Sequence, residues 1–166
     1  MKRTLNAIRA CAPCASGWAK LLSHLGKTRA DNKPLSLITI LDSNGLDDAL
    51  WALRAVEGHD REKRLYAVWC VRQVEHLLTD QRSRDALEVS ERFARGRATR
   101  EELDAARATA AYAAYAAAAD AAADAARATA AYAAAAYAAY AAQSAEFRRV
   151  CECVDAGRDP YPEANV

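Results

Sequence analysis

Between Gly96 and Gly157 the chain contains no glycine and no proline, and 28 of the 41 residues from 105 to 145 are alanine. Alanine has the highest helix propensity of any residue, and nothing in this stretch interrupts a helix. Thr99-Arg100-Glu101-Glu102 supplies a start, a threonine cap with a carboxylate three residues on. One straight helix from there to Cys151 would run roughly 75 Å at 1.5 Å per residue. The undecapeptide Asp-Ala-Ala-Arg-Ala-Thr-Ala-Ala-Tyr-Ala-Ala occurs at 104–114 and again at 124–134. A twenty-residue shift turns the second copy about 200° from the first. A hairpin near Asp120 would bring the copies back into equivalence, with Asp120 or Asp124 as a new cap. Against that, Tyr112, Tyr115, Tyr137 and Tyr140 share one side of a continuous helix, and no breaker marks a turn. The reading is a long helix, with the hairpin as its alternative.

The first 98 residues read as short amphipathic helices. Trp18, Leu21, Leu22 and Leu25 recur three and four apart, and Gly26 follows as a C-terminal cap. Residues 27–34 are a polar loop. The β-branched stretch 35–41 suits a strand, but no partner strand is evident elsewhere, so it reads as a short helix with Pro34 in its first turn. Asp42–Gly45 reads as a tight turn. Leu46, Leu50, Leu53 and Val56 form the next stripe, with Asp47 and Asp48 in the first turn where the helix dipole favours anions. Residues 61–79 read as the most amphipathic helix, with Leu65, Val68, Trp69, Val71, Val74, Leu77 and Leu78 on or near one face. A helix over 84–95, stopped by Gly96, completes the head. The expected class is all-α, a bundle of short amphipathic helices followed by a long alanine-rich helix or helical hairpin. The expected organisation is a head at 1–98, the alanine-rich segment at 99–152 packed on the head or on a partner, and an extended tail at 153–166.

Charge excludes more than it identifies. With 23 basic and 22 acidic side chains the net charge is +1, which argues against affinity won by neutralising phosphates or an anionic membrane. The basic corner at Arg92, Arg95, Arg97 and Arg100 is matched by Glu91, Glu101 and Glu102. Asp120, Asp124 and Arg127 interrupt the alanine-rich stretch as a membrane span, and the basic N-terminus lacks the apolar run of a signal peptide. Five cysteines without such a signal read as reduced thiols in a cytoplasm.

Three constellations could carry chemistry. Cys11 and Cys14 would need to meet Cys151 and Cys153 to hold zinc; free thiols are the plainer reading, and Cys70 reads as packing. Asp47, Asp48, Arg54, His59 and Asp60 bracket one helix without a nucleophile beside them, so they read as helix-end residues rather than acid–base catalysts. Thr109 and Thr129 fall on opposite faces, unlike the threonines of an ice-binding helix. No catalytic residue, metal or cofactor is expected. The expected binding surface is the tyrosine and arginine decoration of the alanine segment: Tyr112, Tyr115, Tyr132, Tyr137, Tyr140, Arg107 and Arg127.

Residues 34–56, from Pro34-Leu-Ser-Leu-Ile-Thr-Ile-Leu to Trp51-Ala-Leu-Arg-Ala-Val56, and residues 64–78, Arg-Leu-Tyr-Ala-Val-Trp-Cys-Val-Arg-Gln-Val-Glu-His-Leu-Leu, resemble a family of bacteriophage proteins. In that family a helical head precedes alanine-rich repeats carrying Trp, Arg and Asp. The half from Trp69 to Leu103 is also similar to the Imm5-like immunity-protein domain. This chain departs from the pattern with Tyr in place of the repeat tryptophans and Cys14 in place of a glycine. The family has no functional residues to carry over. The resemblance implies a helical protein that binds a partner protein and blocks it, as an immunity-type or counter-defence factor. Self-assembly into a homo-oligomer is the alternative, structural or sequestering a small nucleotide signal on Arg54, Arg72, Arg92 or Arg95. No membrane or nucleic-acid partner is expected.

Overall fold

The computed structural model describes residues 1–111 and 129–163, and the side chains of the second stretch from residue 136 onward. It is an all-α protein. In order, the elements are β1 (Lys2–Thr4), α1 (Leu5–Ala10), α2 (Ala15–His24), β2 (Pro34–Ser36), α3 (Leu37–Asn44), α4 (Leu46–Ala52), α5 (Asp60–Arg72), α6 (Gln81–Ala94), a helix α7 described over 100–111, and α8 (Thr129–Asp155). Single 3-10 turns follow α4 and α5, at Leu53–Ala55 and Glu75–Leu77. The chain divides into two compact units. Unit 1 joins Met1–His59 to Tyr140–Val166, and unit 2 is Asp60–Ala139.

In unit 1 the core gathers Leu5, Ile8, Leu21, Leu37, Ile40 and Leu46 with Phe147, Val150 and Cys151 from α8, each no more than 3% exposed. The stripe expected on α4 is only half right. Leu46 and Val56 are buried and Leu50 and Leu53 are not, while Ala49, Ala52 and Ala55 are. Small side chains at 49 and 52 let α4 lie close to α3, so alanine forms the packed face here. The stretch expected to be helical from residue 35 starts as a strand. Pro34–Ser36 pairs antiparallel with Lys2–Thr4 in the register Lys2 to Ser36. That partner is three residues long and has no alternating apolar pattern. Ser36 then caps α3, its Oγ accepting from the Ile38 N–H at 3.3 Å. The helix runs through the expected turn as far as Asn44. On α8, the Asp155 carboxylate accepts from Ser36 Oγ at 3.3 Å, and Arg148 forms an ion pair with Asp42.

Gly45 is the hinge between α3 and α4. Its φ of +100° and ψ of −179° lie where an L side chain is strained. It offers no side-chain cap to α4, and the missing acceptor comes from α8: the Leu46 N–H donates to the Tyr140 hydroxyl at 2.7 Å. A Cβ on Gly45 would sit 2.9 Å from that same oxygen.

Unit 2 is built on α5 packed against α6, with Leu65, Tyr66, Val68, Leu87, Ala94 and Leu103 buried. The helix expected over 61–79 stops at Arg72 and tightens into the 3-10 turn. From its last turn onward the predicted apolar positions reach solvent, with Val71 38%, Val74 40% and Leu77 65% exposed. The caps read from sequence form as expected. Thr99 Oγ1 accepts from the Glu102 N–H at 3.2 Å, and Glu102 Oε2 accepts from the Thr99 N–H at 2.7 Å. Gly26 and Gly96 close α2 and α6 in the left-handed conformation, with φ of +62° and +71°.

The alanine-rich segment is helical on both flanks, in α7 and α8; whether one helix or a hairpin joins them lies outside the described residues. The C-terminal stretch expected to be extended from residue 153 stays helical to Asp155, and Pro160 and Tyr161 then lie against α8. The Arg149 guanidinium donates to Pro160 O at 3.0 Å and stacks 5.3 Å from the Tyr161 ring, and the Tyr161 hydroxyl donates to Glu146 at 2.9 Å.

Two substitutions test the α4 cap. Tyr140→Phe removes the acceptor and should cost about 1 kcal/mol of stability in urea unfolding. Gly45→Ala adds backbone strain and a clash with the hydroxyl, so its loss should be larger, about 1–3 kcal/mol.

Candidate functional site

The structure sorts the arginines of unit 2 into two groups. Arg72 is the hub of an acidic clamp between α5 and α6, donating to Glu75 at 3.0 and 2.9 Å, to Glu88 at 2.7 Å and to Glu91 at 2.9 Å. Hydrogen bonds to Glu75, then Glu91 and Glu88, hold its guanidinium pKa above the ordinary range. Arg95 pairs with Glu91 at 3.1 Å and Arg92 with Glu102 at 3.3 Å. Three of the four arginines considered as phosphate contacts, Arg72, Arg92 and Arg95, are therefore engaged by carboxylates. The fourth, Arg54, lies in unit 1 with its guanidinium 5.5 Å over the Trp51 ring.

Arg64, Arg100 and Arg107 differ. Arg64 and Arg100 each stack on Phe93 at 5.0 Å from the ring centre. Neither they nor Arg107 forms an ion pair or donates a hydrogen bond among the described residues. Arg64, Phe93 and Arg107 line a groove of about 160 Å³ with Val68, Val71, Leu87 and Leu103. Val74 and Leu77 continue the exposed apolar surface on successive turns beyond Val71, the Val74 N–H donating to Val71 O at 3.0 Å and the Leu77 N–H to Val74 O at 2.9 Å. The arrangement offers apolar area beside guanidinium groups that are free to take an anion. Sequence reading named Arg107. It set Arg100 in a basic corner matched by glutamates and missed Arg64, because no one-dimensional pattern separates an arginine stacked on a ring from one paired with a carboxylate.

The other expected surface residues are placed as follows. Tyr137 is 82% exposed on α8. Tyr140 is 41% exposed, but its hydroxyl is committed to the α4 cap. Tyr112, Tyr115 and Arg127, and the Tyr132 side chain, lie outside the described residues. Asp47, His59 and Asp60 are exposed, and Asp48 is half-buried. None of the five cysteines forms a disulfide. Among the described residues no group of three or more His, Cys, Asp or Glu is arranged to hold a metal ion. Nor is any helix among them long and apolar enough to cross a membrane.

The two cysteine pairs sit in contrasting settings. Cys14 is exposed and caps α2, its Sγ accepting from the Gly17 N–H at 3.4 Å. Cys151 is fully buried, and burial pushes its thiol pKa up to about 11.

Comparison of the chain with protein-family models, with curated proteins and with solved structures finds no match.

Two outcomes follow from these environments. Iodoacetamide should alkylate Cys14 in the native protein and reach Cys151 only on unfolding, as read by peptide mass spectrometry. Glu91 is held below its ordinary value of 4.5 chiefly by the Arg72 hydrogen bond, opposed by burial and helped by Arg95. Its contribution to stability is therefore complete above the unfolded glutamate value and is lost as pH falls through the lower folded value. The urea midpoint should drop between about pH 5 and pH 3, and Arg72→Gln should shrink that drop.

Proposed function

We propose that the protein is a binding module rather than an enzyme, one that captures a partner protein and blocks it. The groove of unit 2 would be its point of purchase. The observation that carries this reading is the contrast among the arginines. In a unit where Arg72, Arg92 and Arg95 are paired with neighbouring carboxylates, Arg64 and Arg107 line an apolar groove without an ion pair among the described residues, and Arg100, beside Glu101, stacks on the Phe93 that lines it. Exposed Val71, Val74 and Leu77 extend the apolar area. Desolvated apolar anchors ringed by charge are the usual composition of a recognition surface. The chemistry suits a partner segment that pairs acidic with apolar side chains.

The resemblance to the bacteriophage family and to the Imm5-like domain gives the same reading a biological setting, that of an immunity-type or counter-defence factor acting in a cytoplasm. Tyr137, a broad amphipathic side chain on α8, would widen the contact. A second copy of the chain is the competing occupant of the apolar surface.

Replacing Arg64, Arg100 and Arg107 together by glutamate tests the proposal. Recovery of a co-purifying protein from the cells that express the chain should fall at least tenfold, with helicity and melting temperature held. Equal recovery would remove the groove from the reading. A mass that rises with concentration in sedimentation, abolished by Leu77→Asp, would transfer the surface to self-association.

A further inference from the structure

A second concavity lies in unit 1. Helices α1 to α4 enclose a cleft of about 90 Å³. Its apolar surface comes from Ile8, Pro13, Leu21, Ile40 and Ala52, and both tryptophans of the unit, Trp18 and Trp51, line it half-buried. One ionisable carboxylate lines it, that of Asp48. Asn44 holds this carboxylate in place: its Nδ2 donates to Asp48 Oδ2 at 2.7 Å and to Gly17 O at 2.8 Å. The Asn44 carbonyl oxygen is itself fixed by Ser43 Oγ at 2.7 Å. Asp48 Oδ1 is left without a hydrogen bond, and the carboxylate has no ion pair, among the described residues. Room for the group depends on the absence of a side chain at Gly17, where a Cβ would fall 2.7 Å from Asp48 Oδ2 and 3.1 Å from Cys14 Sγ.

A half-buried carboxylate that is oriented, has no ion pair among the described residues and lines one cleft with two indole rings is complementary to an organic cation. Such a ligand can bond the free oxygen while its carbons take the place of water on the apolar wall. Trp51 already accepts one cation on its ring, the Arg54 guanidinium at 5.5 Å. Size narrows the class. A space of about 90 Å³ exceeds what a water molecule needs and falls below the roughly 150 Å³ that holds benzene, which suits a chain of about four carbons. We propose that the cleft between α1, α2, α3 and α4 is a binding site for a small alkylammonium ion, with Asp48 as its counter-ion and Trp18 and Trp51 as its walls.

The test is a titration of the full chain with n-butylammonium chloride and, separately, with n-butanol, followed through the indole N–H signals of Trp18, Trp51 and Trp69 by NMR. The expected result is a saturable shift of Trp18 and Trp51 with butylammonium, at least tenfold weaker affinity for butanol, and no movement of Trp69. Asp48→Asn keeps the Asn44 contact, removes the charge, and should weaken butylammonium binding at least tenfold. Equal affinity for the neutral alcohol, no saturation with the amine, or unchanged binding in Asp48→Asn would each overturn the proposal. The comparison of amine with alcohol uses the unaltered protein, so the result does not hang on how the variant folds.

Discussion

The core of unit 1 closes only because Phe147, Val150 and Cys151 on α8 are buried with apolar residues from the first fifty-six positions. None of the short helices α1 to α4 exceeds ten residues, and helices that short do not hold in water alone. Their apolar faces need a longer partner, and the last turns of α8 provide it. The contact spans most of the chain, so its loop-closure entropy must be offset chiefly by burial. Directional bonds add to this closure: Arg148 to Asp42, Asp155 to Ser36 and Tyr140 to the start of α4. The last of these explains how Gly45 can serve as a hinge, since the α4 donor that glycine leaves open is satisfied by a side chain ninety-four positions away.

Local chemistry was readable in the sequence wherever it was self-contained. The Thr99–Glu102 box and the glycine ends of α2 and α6 need no partner beyond a few residues, and they form as the residues dictate. Long-range pairing was not readable. Lys2–Thr4 shows no strand pattern, and it acts as one because Pro34–Ser36 is laid beside it. The apolar run after Arg72 looked like a core face, yet the helix ends there and the run faces solvent. Alanine misled in both directions. At positions 49, 52 and 55 it is core, whereas Ala136, Ala138 and Ala139 on α8 are exposed. A side chain of one carbon carries too little apolar area to declare its own burial.

The same limit governs the candidate surfaces. Arginines dominate the charge pattern of residues 61–107, and composition makes them equivalent. Geometry separates them: Arg72 gathers three glutamates into a clamp that joins α5 to α6, while Arg64 and Arg100 rest on Phe93 with their donors unspent. A partly exposed clamp of this kind stabilises modestly and fixes helix register more than it adds to total stability. In unit 1 the corresponding asymmetry is of acids, with Asp42 and Asp155 engaged by partners and Asp48 held by an amide alone.

The discontinuity of unit 1 has a consequence for the order of events on the ribosome. Residues 60–139 stand between its two parts. At about 5–20 residues per second, synthesis of that insert occupies several seconds, during which the α1–α4 apolar faces lack the helix that covers them. Unit 2, continuous in the chain, has all its residues in hand first. The nascent protein thus matures from the middle outward, and the oldest residues of the chain are among the last to find their native neighbours.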